Sequence, residues 1–413
     1  MKITAVGIGT RGDVQPIAEL CKELQRRGHE CRLATLEGFH ELADGLGVPY
    51  FHLDGSADNL MRYLVLDNRG DLDFFRGAMK LCRETPRLMD QLDEAVAGAD
   101  LVIYNFLGGF AYHPCELRGI PCVRVFYSPF DATTKYSLYT PEHDSQKVFD
   151  SYRMEEPGMN LLTILNANRW RKAHGLAKWT MRSDYRYQGD VPVQTFYPVS
   201  PRLMEPDPAW GDHIHVCGWW FHPEEDERDY VPDEGLAAFL AQGDAPIFAG
   251  FGKMAAKEYE QLQRMTLAAF EELGVRAVMQ APLLSDEERA AASGRILFVQ
   301  GTVPYGWLFR HVKAVVHHGG NSTNGLGLRA GRPTLVAALA LDQHYYGRTV
   351  HELGVGPEPL YVCKKMCSQA QVTSAIAELA DGRYQDAAAE LGQRLLKEDG
   401  CATAAQIIER RFG

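Results

Sequence analysis

A chain of 413 residues is too long for one ordinary domain, and two domains of about 200 residues each are expected. Hydrophobic residues at 46% and charged residues at 23% exclude a disordered chain. With 43 basic against 54 acidic side chains the net charge is −11, which excludes nucleic acid or an anionic membrane as the main partner. A small anion is still compatible, because a pocket of backbone N–H groups can hold one inside an acidic protein.

Met1 to Gly7 runs directly into a strand, so no signal peptide is expected. No uninterrupted apolar run reaches 18 residues, so no transmembrane helix is expected either. Nine cysteines, an odd and scattered set, predict reduced thiols in a cytoplasmic protein. Cys363 and Cys367 lie close together but lack a second Cys or His pair to complete a zinc site.

In chain order, Lys2–Ile8, Cys31–Thr35, Leu101–Asn105 and Pro121–Phe126 read as buried parallel strands. Between the first two, Val14–Arg27 has helical period, with Ile17, Leu20, Cys21 and Leu24 on one face and Gly28 at its end. Tyr197 to Glu234 has no sustained period and marks a boundary near residues 215–235, with Glu224–Glu227 read as a solvated loop face. A second series follows: Ile247–Gly250, Arg276–Gln280, Ile296–Gln300, Ala314–His317 and Thr334–Ala337 are strand-like, and Ala256–Leu273 is helical. Each half is thus an α/β, doubly wound Rossmann-like unit. After Ser368 the chain reads as helical to its end.

In such folds ligands sit beyond the carboxyl ends of the strands. The first such loop, Gly7-Ile8-Gly9-Thr10-Arg11-Gly12, matches the G-x-G-x-x-G of a dinucleotide site, with Glu37 as a ribose ligand. Asp13 argues against that reading, since it puts a carboxylate where a pyrophosphate should sit. The same carboxylate is equally a helix cap or a base for a neutral hydroxyl. A second loop, His317 to Thr323, packs two histidines, Gly319, Gly320, Asn321, Ser322 and Thr323 just before a helix expected from Asn324. Glycines allow close approach, and N–H groups at a helix start bind a diphosphate. His317 adds a hydrogen bond or a charge. A third feature, Asp342-Gln343 at the end of the next strand, suits sugar hydroxyls. Asp71-Leu72-Asp73 spells the D-x-D of a metal-dependent transferase, but in a polar loop without the accompanying pattern, so no metal is expected there.

At Gly9–Pro16, Pro304–Phe309, Val315–Gly331, Asp342-Gln343 and Gly347-Arg348 the chain resembles nucleotide-sugar glycosyltransferases of the two-Rossmann (GT-B) architecture. The bacterial antibiotic and sterol branch of family GT1 is the best match. That resemblance implies residues 1–215 as an acceptor-binding domain facing, across a cleft, a nucleotide-sugar-binding domain at 216–385. It also implies residues 386–413 as a final helix returning to the first. It implies inverting, metal-independent transfer from a UDP- or dTDP-sugar to a hydroxyl of a small lipophilic acceptor, with Asp13 as base and no cofactor. His317 and the loop N–H groups would meet the diphosphate, aided by Thr10, Arg11 and Lys253, which stands where relatives have a serine. Val303 would hold the base with Trp307 packed nearby, and Asp342 and Gln343 would hold the sugar. Gly325 replaces the ribose-binding glutamate of the plant enzymes, leaving UDP and dTDP both open. Hydrophobic and aromatic residues in Asn105–His113 and Phe126–Tyr139 suit an apolar acceptor pocket, or core packing. A nucleotide-sugar 2-epimerase and a catalytically silent auxiliary partner are the alternatives, and a monomer or homodimer is expected.

Overall fold

The computed structural model describes residues 1–63, 71–137, 145–152, 155–222, 227–252, 257–301, 303–339, 342–362 and 366–413. The chain divides into two compact units. One comprises 1–137, 141–221 and 399–413; the other comprises 138–140 and 222–398.

The first unit is built on a seven-stranded parallel sheet. Its strands are β1 (Lys2–Gly7), β2 (Glu30–Leu36), β3 (Tyr50–Leu53), β4 (Leu101–Asn105), β5 (Cys122–Val125), β8 (Gln194–Tyr197) and β9 (Ile214–Val216), with a small hairpin of β6 (Tyr187–Gln188) and β7 (Val191–Pro192) between β5 and β8. Their spatial order is β3-β2-β1-β4-β5-β8-β9. Alternation along β1 decides which layer each side chain enters. Val6 packs with Leu92, Val96 and Tyr104 on one face, while Ile3 and Ala5 pack with Val14, Ile17 and Leu24 of the helix Arg11–Arg26 on the other.

The second unit repeats the plan with six strands: β10 (Ile247–Gly250), β11 (Ala277–Gln280), β12 (Ile296–Phe298), β13 (Ala314–His317), β14 (Thr334–Ala338) and β15 (Leu360–Tyr361). The order is β12-β11-β10-β13-β14-β15, again parallel. The chain reverses its winding beside β1 in the first sheet and beside β10 in the second. Those are the positions where a doubly wound sheet opens a crevice for a ligand. Both sheets agree with the α/β, doubly wound Rossmann-like expectation.

Two local expectations differ. The helix after β13 begins at Asn321, with Gly320 as its N-cap, so Asn321 to Thr323 are its first turn and not a loop. Likewise Asp71–Asp73 opens the helix Asp71–Glu84, where Asp73 pairs with Arg76 one turn on, 3.3 Å away. In both places polar side chains concealed the start of a helix, because caps and first turns favour the same residue types as loops.

The closing helix, Gly400–Phe412, belongs to the first unit. Cys401, Ala404, Ala405 and Ile408 are buried against the Arg11–Arg26 layer. At its far end Glu409 accepts from Arg27 at 3.1 Å and meets His29 at 3.2 Å. The half-exposed ion pairs set register; the apolar face supplies most of the holding energy. Ile408→Ala is therefore expected to destabilise the first unit by about 2–5 kcal/mol, measured as a lower denaturant midpoint.

Candidate functional site

In the first unit the turn after β1 is held by its own side chains. Gly9 has φ +138°, and a Cβ there would lie 2.5 Å from Asp13 Oδ2, so only glycine fits. Asp13 stands at the third position of the helix Arg11–Arg26. Its Oδ2 accepts from the Thr10 N–H at 2.7 Å and the Thr10 hydroxyl at 2.8 Å. The Asp13 main-chain carbonyl accepts from the Tyr127 hydroxyl at 2.6 Å, and Asn105 at the end of β4 ties Ile8 to the same region through both ends of its amide. The capping role is thus real, and it employs one carboxylate oxygen. The other, Oδ1, has no hydrogen-bond partner among the described residues. Burial raises the pKa of Asp13, against the opposing hydrogen bonds from Thr10. A half-buried carboxylate with one oxygen anchored and the other unengaged can accept a proton from a hydroxyl. A pyrophosphate at this helix start would meet that negative charge, which disfavours the dinucleotide reading. Arg11 is exposed and bonded to Gln15 at 2.9 Å.

The second unit handles the same geometry differently. β13 ends at His317, fully buried, whose Nδ1 accepts from the Gly319 N–H at 2.8 Å. The proton of the neutral ring is therefore on Nε2, which has no hydrogen-bond partner among the described residues. Burial, reinforced by neighbouring His318, holds the His317 pKa well below its ordinary value; the Asn324 amide beside it pulls weakly the other way. His317 thus acts as a neutral donor and not as a charge. Gly319 has φ +92°, and a Cβ would sit 2.7 Å from a Val336 methyl and 3.2 Å from Gln343 Cα. That close approach brings the loop against the start of the helix Asp342–Glu352.

Gly320 caps the helix Asn321–Arg329, whose first turn carries no acidic residue. The N–H groups of Asn321, Ser322 and Thr323 face outward from a helix start, the arrangement that binds an anionic group. Asn321 Oδ1 accepts from the Tyr346 hydroxyl at 2.6 Å, which fixes the first turn on the next helix. Asp342 is half-buried at the start of that helix, and Gln343 is buried beside it. The Gln343 amide oxygen accepts from the Leu339 N–H at 2.8 Å and from Tyr259 at 3.2 Å, an orientation that presents its side chain at the end of β14. Val303 is buried in the adjoining core, and Trp307 stacks on His311 with centroids 4.1 Å apart. Lys253 lies outside the described residues.

Sequence reading missed Asn105, Tyr127 and Asn324, and placed His318 in the loop without giving it a role of its own. Asn324 is fully buried beside His317, with neither end of its amide hydrogen-bonded among the described residues. The expected helix begins at Asn324, where a polar residue reads as an ordinary cap; only the observed start at Asn321 places it inside the helix. His318 carries a pH consequence. Burial lowers its pKa from 6.5 to about 4, so in that window the unfolded chain takes up a proton that the folded chain refuses. Stability therefore falls as pH drops from about 6.5 towards 4, and His318→Asn should flatten that acid limb in a melting-temperature series.

Two family models match the chain. The glycosyltransferase family 28 N-terminal domain covers residues 3–130, and the erythromycin biosynthesis protein CIII-like C-terminal domain covers residues 265–410. Among proteins of similar sequence is a sterol 3-beta-glucosyltransferase of Cryptococcus neoformans var. neoformans, 30% identical over 99% of this chain and 27% of that protein. The chain spans about three tenths or less of the length of the curated relatives it matches. Among solved structures, the kitacinnamycin glycotransferase covers 100% of this chain and 99% of its own, at a TM-score of 0.72 and 17% identity. The spinosyn rhamnosyltransferase SpnG complexed with thymidine diphosphate covers 99% of this chain and 100% of its own, at 0.65 and 18%. These structures fix the fold as GT-B. With glycosyltransferase models on successive parts of that fold and glucosyltransferase relatives across nearly every residue, the chain is similar to the GT1-like GT-B glycosyltransferases in both halves.

Proposed function

We propose that the chain transfers a sugar, with inversion, from a UDP- or dTDP-sugar to a hydroxyl of a small lipophilic acceptor. The observation that carries this reading is Asp13. Its Oδ2 is pinned by Thr10, its Oδ1 is unengaged, and burial raises its proton affinity. In the proposed step Oδ1 takes the acceptor proton while the acceptor oxygen forms a bond to the anomeric carbon. The bond from that carbon to the diphosphate oxygen breaks, and the diphosphate leaves with the electron pair. The charge developing there is met by the N–H groups of Asn321–Thr323, the dipole of their helix and the neutral His317 Nε2–H.

The spinosyn enzyme bound to thymidine diphosphate supports a nucleoside-diphosphate donor, and the sterol and antibiotic relatives support a lipophilic acceptor. In this reading Val303 and Trp307 border the base, and Asp342 and Gln343 read the sugar. Thr10, Arg11 and Lys253 assist at the phosphates. Protein donors alone are assigned to the leaving charge, so the proposed reaction requires no metal. The acceptor enters the first unit, where the segments after β4 and β5 form a pocket of ≈ 270 Å³ lined by Phe106, Phe126, Phe130 and Phe149.

The following measurements test this. Thermal shift with UDP and with dTDP should show stabilisation by at least one, and stabilisation by neither removes the donor-site assignment. Asp13→Asn keeps an amide oxygen for the Thr10 donors, so donor affinity should stay within about threefold. Turnover should fall about 10²-fold or more in a chelated, metal-free assay. Because the base works ionised and burial raises its pKa, wild-type kcat/KM should fall with acidification earlier than an ordinary aspartate dictates. The same raised pKa means that the folded state loses stability as pH rises through it. Asp13→Asn should therefore match or exceed the wild-type melting temperature at pH 7. Normal turnover by that variant would remove the base assignment.

A further inference from the structure

The first unit's pocket is aromatic, yet a charge lines it. Phe126 and Phe130 stack with centroids 4.2 Å apart and planes within 9°, and Phe106 meets Phe130 edge-on at 5.2 Å. Among them lies Arg124, in mid-strand on β5 and only 2% exposed. Its guanidinium sits 5.3 Å from the Phe126 ring centre. Nη2 donates to Asp131 Oδ1 at 2.7 Å and to the Thr195 hydroxyl at 2.7 Å, and Nε donates to the same hydroxyl at 3.1 Å. Nη1 has no hydrogen-bond partner among the described residues, although the residue is buried and lines the pocket.

A buried guanidinium is costly unless its N–H groups are satisfied, so an arginine that keeps one end of its fork unused beside a cavity calls for an oxygen from a ligand. The local charge says which oxygen. Asp131 already neutralises Arg124, and the Tyr197 hydroxyl completes Asp131 at 2.7 Å. Asp184, the other carboxylate lining the pocket, is held by both ends of the Arg186 fork at 2.8–3.0 Å. An acceptor carboxylate at Nη1 would thus be a second anion on a compensated cation, in surroundings of low dielectric. A neutral carbonyl oxygen completes the fork without adding charge.

We propose that Arg124 is a specificity-determining residue whose Nη1 group reads a neutral carbonyl oxygen on the lipophilic acceptor, remote from the hydroxyl that receives the sugar. The subsite rests on the acceptor reading of the first unit made above. It selects hydroxylated polycyclic ketones over hydrocarbon-tailed sterols, which offer Nη1 nothing at that end.

The test is donor-free titration calorimetry of the full chain with three matched steroids. All carry a 3β-hydroxyl, and carbon 17 bears a ketone, two hydrogens or a carboxylate. The ketone should bind about tenfold or more tightly than the deoxy compound, with the carboxylate weaker than the ketone. Arg124→Lys keeps the charge beside Asp131 but loses the second arm of the fork. It should cut the ketone's advantage to within about threefold and leave the deoxy affinity unchanged. Equal binding of ketone and deoxy compound by the wild type overturns the subsite, whether or not the variant folds. So does a carboxylate that binds tightest, or a variant that weakens both neutral ligands alike. Binding by none of the three overturns the acceptor pocket itself. Donor binding and sugar transfer, measured separately, show whether the transferase reading survives either result.

Discussion

A helix that follows a buried parallel strand begins with N–H groups that have no partner in the helix, and both candidate sites depend on how that deficit is met. In the first unit the chain answers with its own anion. Asp13 sits in the first turn, and its carboxylate accepts from the Thr10 N–H and hydroxyl. In the second unit the equivalent first turn, Asn321 to Thr323, contains no acidic residue, and Gly320 caps it without a side chain. One architecture thus places a carboxylate at the helix start in one unit, the proposed base, and leaves the helix start open in the other, the proposed receptor for an anion. The difference is a single carboxylate, placed or withheld.

This arrangement also reconciles a net charge of −11 with a proposed dianionic ligand. His317 and His318 are both held neutral by burial, so neither contributes a formal charge near neutral pH. Attraction comes from oriented N–H dipoles, which cost nothing to desolvate as ions and need no counter-ion when the site is empty. A charged histidine would have required burial of an imidazolium, and no carboxylate among the described residues pairs with either ring.

Much of this was legible in the sequence where a period or a motif is local. The apolar runs located β1, β4, β10, β13 and β14, and glycine spacing located both loops. Long-range facts were not legible. Asn105 looks like a strand-ending polar residue until β4 lies beside β1, where its amide reaches Ile8 across 97 positions of sequence. Tyr127 becomes a brace for Asp13 only once β5 is in place. The two- to four-residue strands β3, β8, β9 and β15 are too short to show alternation, and the tautomer of His317 depends on a single N–H placed by Gly319 at positive φ.

Arg124 shows the same limit with a functional cost attached. In sequence it is one charge in an apolar strand, a pattern usually explained by an edge position. In the sheet it lies on β5, between β4 and β8, and is buried with its own counter-ion. An ion pair in such a place is no gain in stability over well-packed apolar residues of similar volume. Thr195, Asp131 and Tyr197 together hold this pair and orient the guanidinium at the pocket lining, with Nη1 left without a hydrogen-bond partner among the described residues. A wall of phenyl rings accepts any flat apolar body and discriminates poorly among them. In the proposed subsite a rigid donor set among those rings, alongside the polar side chains of Asn160, Ser183 and Arg186, adds chemical selection to shape tolerance, because a ligand without the matching oxygen leaves a polar group unpaired.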